Sequence, residues 1–195
     1  MDYNNDVALL KLETPVHFSD KISPLCLPDE NVCMKEGVPC VTTGWGVTEE
    51  FDVDSVAEKL QEVVVRVIGN EKCMSYPEHG MVTDKMICAG YKDGGKDACS
   101  GDSGGPLMCK VEENGPWVFY GITSFGIGCA RPDAPGVYAR VPKFVDWIKQ
   151  ITQLQPGITT TDFPKLHQDN QCGGFVPRTY NDAFMINIRL HFFLI

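Results

Sequence analysis

Nine cysteines in 195 residues constrain this chain more than any other feature. A chain of this length can bury a core without covalent staples, so size alone does not call for them. No two stand in a CxxC pair, and His17, His79, His167 and His191 do not cluster with them, which leaves zinc a poor explanation. Disulfides formed in an oxidising compartment account for them better. The odd count leaves at least one thiol unpaired or bonded to another chain. Yet the stretch from Met1 to Asp6 has neither a positive leader nor a long apolar run, so no signal peptide is expected there. A disulfide-rich chain with no export signal is expected to lack its start.

The charge balance narrows the partners. Seventeen Lys and Arg against 26 Asp and Glu give a net charge of −9, the wrong sign for gripping phosphates or an anionic membrane. Hydrophobic content of 43% with 22% charged residues is that of a globular protein and excludes wholesale disorder. No apolar run approaches the roughly 18–20 residues of a membrane span. The closing Leu190–Ile195 is too short to cross a bilayer.

Short apolar runs between Gly- and Pro-rich turns predict an all-β protein. Val7–Leu12 reads as a buried strand, and Val41–Trp45 as another entering the Gly44-Trp45-Gly46 turn. Between them, Ile22 to Cys40 is an extended connector with Pro24, Pro28, Gly37 and Pro39. In Leu60–Ile68, Val63, Val65 and Val67 share one face while Glu62 and Arg66 share the other. Asn114-Gly115 is a hairpin signal before the strand-like Trp117–Tyr120. One helix is expected late, where Pro142 suits a first turn and Phe144, Val145, Ile148 and Ile151 recur at helical spacing. Pro156-Gly157 ends it. The polar stretch with Thr159, Thr160 and Thr161 reads as a linker.

The chemistry is concentrated in Asp97-Ala98-Cys99-Ser100-Gly101-Asp102-Ser103-Gly104-Gly105-Pro106. A serine between glycines can be a plain loop hydroxyl. A nucleophile needs the same company, because small neighbours admit a substrate carbonyl and bare backbone lets N–H groups converge on an oxyanion. The six residues Gly101 to Pro106, GDSGGP, resemble the nucleophile loop of the chymotrypsin-like (trypsin-family) serine proteases, and the likeness extends from about Asp6 to Leu154. It implies the second six-stranded β-barrel of the trypsin-like double-barrel fold, a remnant of the first barrel and a C-terminal helix. Residues 1–154 are then a partial peptidase domain, 155–171 a linker and 172–195 a tail. Gln171-Cys172-Gly173-Gly174 resembles the opening of a CUB domain, which some multidomain relatives carry.

The same resemblance assigns roles. Ser103 matches the nucleophile, and Gly101 and Ser103 supply the oxyanion-hole N–H groups. Asp6, in Asn5-Asp6-Val7-Ala8-Leu9-Leu10, matches the aspartate that orients the catalytic histidine; on its own it reads as an Asx-type cap. Asp102 matches the partner of the new N-terminal amine after zymogen cleavage. Asp97 matches the base of the primary pocket, where a carboxylate selects Lys or Arg, although Lys92, Asp93 and Lys96 leave a solvated loop acid open. Ser124-Phe125-Gly126 matches the strand along which substrate lies, and Gly126 and Gly136 match pocket-wall positions that stay open to a long side chain. The family's bridges would be Cys40–Cys109, Cys73–Cys88 and Cys99–Cys129. Cys26 often bonds a pro-segment or light chain in relatives, while Cys33 and Cys172 have no assigned partner.

The departure is the general base. In this family the histidine precedes the aspartate, and every histidine here comes after Asp6. The leading expectation is a fragment of a secreted endopeptidase cleaving after Arg or Lys, using no metal or cofactor and inactive as written. A non-catalytic binding module and a truncated splice or read-through product stand as alternatives. With most of the first barrel upstream, the first thirty or so residues are expected to attach loosely.

Overall fold

The computed structural model describes residues 3–14, 19, 22, 25–76, 79, 82–112 and 114–152. The expected linker and tail, the CUB-like segment and His17 lie outside these residues. Six strands carry the fold: β1 (Pro39–Gly44), β2 (Gln61–Ile68), β3 (Met86–Gly90), β4 (Pro106–Lys110), β5 (Trp117–Phe125) and β6 (Gly136–Arg140). They close into a barrel in the order β1-β2-β3-β6-β5-β4 with every pairing antiparallel. Closure satisfies each edge and leaves no strand open to pair with another chain.

The interior reflects the period-two pattern. In β2, Val65 and Val67 are buried and Val63 is partly buried, while Glu62 and Arg66 face outward. They meet Ile87, Ala89, Leu107, Tyr120 and Tyr138 from the other strands. Two bridges staple the barrel. Cys40 and Cys109 sit directly opposite each other on β1 and β4, with Cα atoms 4.3 Å apart. Cys73, in the short helix α1 (Asn70–Met74), bonds to Cys88 on β3. Cys33 is also disulfide-bonded, and Cys26 is free.

The late helix begins as a 3-10 turn at Val141–Phe144, with Pro142 near its start, and continues as α2 (Val145–Thr152). Phe144 and Ile148 pack on Phe119, Ile122 and Ala139 of the barrel, and Val145 is buried; Ile151 faces solvent. The connector expected at Ile22–Cys40 meets β5 at Cys26 and Met34. Phe119 N–H donates to the Cys26 carbonyl at 2.8 Å, and Met34 N–H donates to the Tyr120 hydroxyl at 3.0 Å.

One expectation at the N-terminus is corrected. Val7–Leu12 is not a strand. A strand needs a neighbour for its N–H and C=O groups, and no described segment pairs with it; Val7 and Leu9 pack against the α2 cluster while Leu10 and Leu12 are exposed. Of the first thirty or so residues, expected to attach loosely, Tyr3 to Asp6 make specific contacts. The Tyr3 ring stacks on Phe125 with centroids 4.7 Å apart, and Thr83 Oγ1 donates to Asn4 Oδ1 at 2.9 Å. Lys85 Nζ donates to Asn5 Oδ1, and Ser124 Oγ donates to Asp6 Oδ2 at 2.6 Å. Polar tethers to β5 and to the turn before β3 hold what apolar pairing does not.

Candidate active site

The loop from Asp97 to Gly105 joins β3 to β4, and its shape depends on one inward-turned carboxylate. Asp102 Oδ1 accepts from Gly46 N–H at 2.8 Å and Oδ2 accepts from Cys99 N–H at 2.9 Å. Asp102 can come so close because Gly44 has no side chain: a Cβ there would lie 2.0 Å from Asp102 Oδ1. Gly101 has φ +96°, a left-handed conformation that L side chains rarely adopt. The loop is pinned to β5 by Gly104 N–H donating to the Thr123 carbonyl at 2.8 Å. The N–H groups of Gly101 and Ser103 make no hydrogen bond among the described residues, so both remain available beside the exposed Ser103 side chain.

A cavity of about 130 Å³ gathers the expected residues, with Asp97, Ser103, Ser124, Gly126, Gly136 and Tyr138 among its lining. The Cys99–Cys129 bridge, Cα atoms 5.2 Å apart, ties the serine loop to the segment after β5. Asp97 is held at both oxygens: Ala98 N–H donates to Oδ1 at 2.8 Å and Ala130 N–H to Oδ2 at 3.1 Å. Gly136 faces it closely, since a Cβ at that position would stand 2.6 Å from Asp97 Oδ1. Asp6 reaches the site through Ser124, which is both its hydrogen-bond donor and part of the lining. A second cavity, of about 280 Å³, is lined by Gly44, Gly46, Asp97 and Asp102 among others.

Burial raises the Asp97 pKa from 3.8 to about 6, against the two backbone hydrogen bonds, which act to lower it. The folded chain therefore holds a proton on Asp97 at pH values where the unfolded chain has lost it. Stability tied to this group falls as pH rises from near 3.8 to about 6 and is level above that. The change is about 3 kcal/mol. Urea unfolding of the wild type and Asp97→Asn between pH 4 and 7.5 checks it: the wild type should lose stability relative to the variant through that window. A constant difference would mean that Asp97 is solvated.

Sequence reading did not anticipate the Ser124–Asp6 hydrogen bond or the Ala130 N–H on Asp97. Both join segments distant in sequence, and no local pattern marks them. His79, between α1 and β3, is buried: its Nε2 lies 2.9 Å from the Pro135 carbonyl oxygen. Among the described residues no group of His, Cys, Asp and Glu is placed to hold a metal ion, and no helix is long and apolar enough to cross a membrane.

Comparison with known proteins agrees with this geometry. Residues 1–148 match the family described as Trypsin. Over 152 residues the chain is 49% identical to coagulation factor XI of Bos taurus, a match that covers 76% of this chain and 23% of that protein. The chain thus spans about a quarter of that relative's length. With a six-stranded antiparallel barrel, a GDSGGP loop and a family match over most of its length, this chain belongs to the trypsin family of serine proteases.

Proposed function

We propose that this chain carries the nucleophile and the specificity pocket of a secreted trypsin-like endopeptidase that cleaves after Arg or Lys. The observation that carries the reading is one cavity lined by both Ser103 and Asp97. A substrate cation paired with Asp97 would place the adjoining carbonyl at Ser103. A partly buried carboxylate is costly until a cation arrives, which makes binding selective for charge. Arg can engage both carboxylate oxygens.

In this reading Ser103 Oγ attacks the carbonyl carbon and its proton passes to a histidine supplied from upstream of Asp6. The N–H groups of Gly101 and Ser103 receive the oxyanion. The histidine returns the proton to the leaving amine, leaving an acyl group on Ser103 that water then removes. Asp6, steadied by Ser124, orients the histidine and stabilises its charged form. The strand bearing Ser124 and Gly126 takes the substrate backbone, and Gly126 and Gly136 keep the slot open. Asp102, beside the larger cavity, pairs with the N-terminal amine released on activation. Cys26 bonds a segment of the parent protein, and no cofactor takes part.

An aryl amidine tests the pocket without requiring turnover. The chain should bind p-aminobenzamidine one to one, with the fluorescence rise of a dye leaving water, and with an affinity that climbs with pH up to about 6 and then levels as Asp97 ionises. Absence of binding at neutral pH would overturn the pocket assignment.

A further inference from the structure

His79 sits in the loop between α1 and β3, is 2% exposed, and has no part in the chemistry above. Its backbone is fixed on both sides, with His79 N–H donating to the Tyr76 carbonyl and Val82 N–H donating to the His79 carbonyl, each at 3.1 Å. The ring stands edge-on to Tyr76, with centroids 6.1 Å apart. Tyr76 and Val82 belong to the cluster built around Cys73, Cys88 and Val137 of β6. The Pro135 carbonyl can only accept, so the proton of the neutral imidazole is on Nε2. Nδ1 is buried and has no hydrogen-bond partner among the described residues.

Pro135 matters because its chain neighbour is Gly136. The β6 ladder to β3 begins at Gly136, paired with Ala89, so the buried Pro135 lies just before the ladder. A buried carbonyl left without a donor is destabilising, and the His79 side chain supplies that donor. Gly90 closes the other side: a Cβ there would lie 2.9 Å from Pro135 Cβ. Pro135 is thus clamped between β3 and an imidazole, one residue ahead of the glycine that faces Asp97 Oδ1.

We propose that His79 is a positioning residue of the substrate slot, holding Gly136 through the Pro135 carbonyl so that Asp97 keeps the geometry in which it receives a cation. The inference rests on reading the Asp97 cavity as the specificity pocket. It concerns one hydrogen bond, donated by Nε2–H, rather than the bulk of the ring.

The test uses the 195-residue chain, p-aminobenzamidine and two variants. His79→Leu keeps apolar volume and removes the donor; His79→Gln keeps an N–H at similar reach. Titration separates two quantities: the number of sites reports the folded fraction, and Kd reports the slot. His79→Leu should weaken Kd by about tenfold with the number of sites preserved. His79→Gln should restore Kd to within about twofold of the wild type. Equal Kd in all three proteins overturns the proposal, and so does equal weakening in both variants, which would make the role one of packing. Should His79→Leu fail to fold, nitrogen NMR of the wild-type imidazole decides. An Nε2–H tautomer whose resonance shifts on amidine binding supports the proposal, and an Nδ1–H tautomer or an unmoved resonance overturns it. If the wild type itself binds no amidine, the pocket reading fails and this inference falls with it.

Discussion

In the histidine-bearing parent enzyme, Asp97→Ser should lower kcat/KM for an Arg-containing substrate by about 10³–10⁵, while hydrolysis of a substrate with a small neutral side chain at that position is spared. Two costs fall together in the variant. The substrate guanidinium loses its only assigned counter-charge, and it must still leave water for a confined slot. The hydroxyl of Ser would accept one hydrogen bond where the carboxylate offers two oxygens, each already aimed by a backbone N–H from Ala98 or Ala130. Ser103 and the free N–H groups of its loop are untouched, so acyl transfer itself should persist. The comparison of Arg and small-side-chain esters reads this directly. An unchanged Arg preference in Asp97→Ser would return Asp97 to the role of a loop acid.

The parts of this protein legible in its sequence are those where one residue type meets one strict demand. GDSGGP is such a case: Gly101 holds φ +96°, and the loop needs a carboxylate at Asp102 to collect the N–H groups of Gly46 and Cys99. The three bridges from Cys40, Cys73 and Cys99 were readable through the same family register. The β2 alternation was readable from Val63, Val65 and Val67, because one face of that strand is wet.

Other elements gave no comparable signal. In β3 all five residues from Met86 to Gly90 are buried, so no alternation marks them as a strand. The run Val7–Leu12 misled for the opposite reason: it is apolar enough for a strand, but a strand is a property of two segments and no described segment pairs with this one. Its neighbours Tyr3 to Asp6 are held instead by side chains of Thr83, Lys85, Ser124 and Phe125, residues that nothing local connects to them. His79 sits between Pro77-Glu78 and Gly80, a loop by its residues, and nothing in that stretch marks it as buried. Its burial is decided by Pro135, more than fifty residues away.

The 195-residue chain on its own should hydrolyse an Arg ester or amide about 10⁶-fold more slowly than the histidine-bearing parent, which places it at background. A serine hydroxyl is a weak nucleophile until a neighbouring base takes its proton in the transition state. The family places that base before the aspartate, and His17, His79, His167 and His191 all come after Asp6. His79 is the only histidine among the described residues, and it is buried with its Nε2 committed to the Pro135 carbonyl. What remains in the proposed site, a pocket at Asp97 and two oxyanion donors, would support only a small residual acceleration. Amidine binding and hydrolysis should therefore separate, the first present in this chain and the second absent. Covalent addition of the upstream histidine segment should restore turnover, and Ser103→Ala should then remove it. Turnover at protease-like rates by the unextended chain, abolished by Ser103→Ala, would show that another group takes the proton, and the assignment of Asp6 as the orienting aspartate would have to be given up with it.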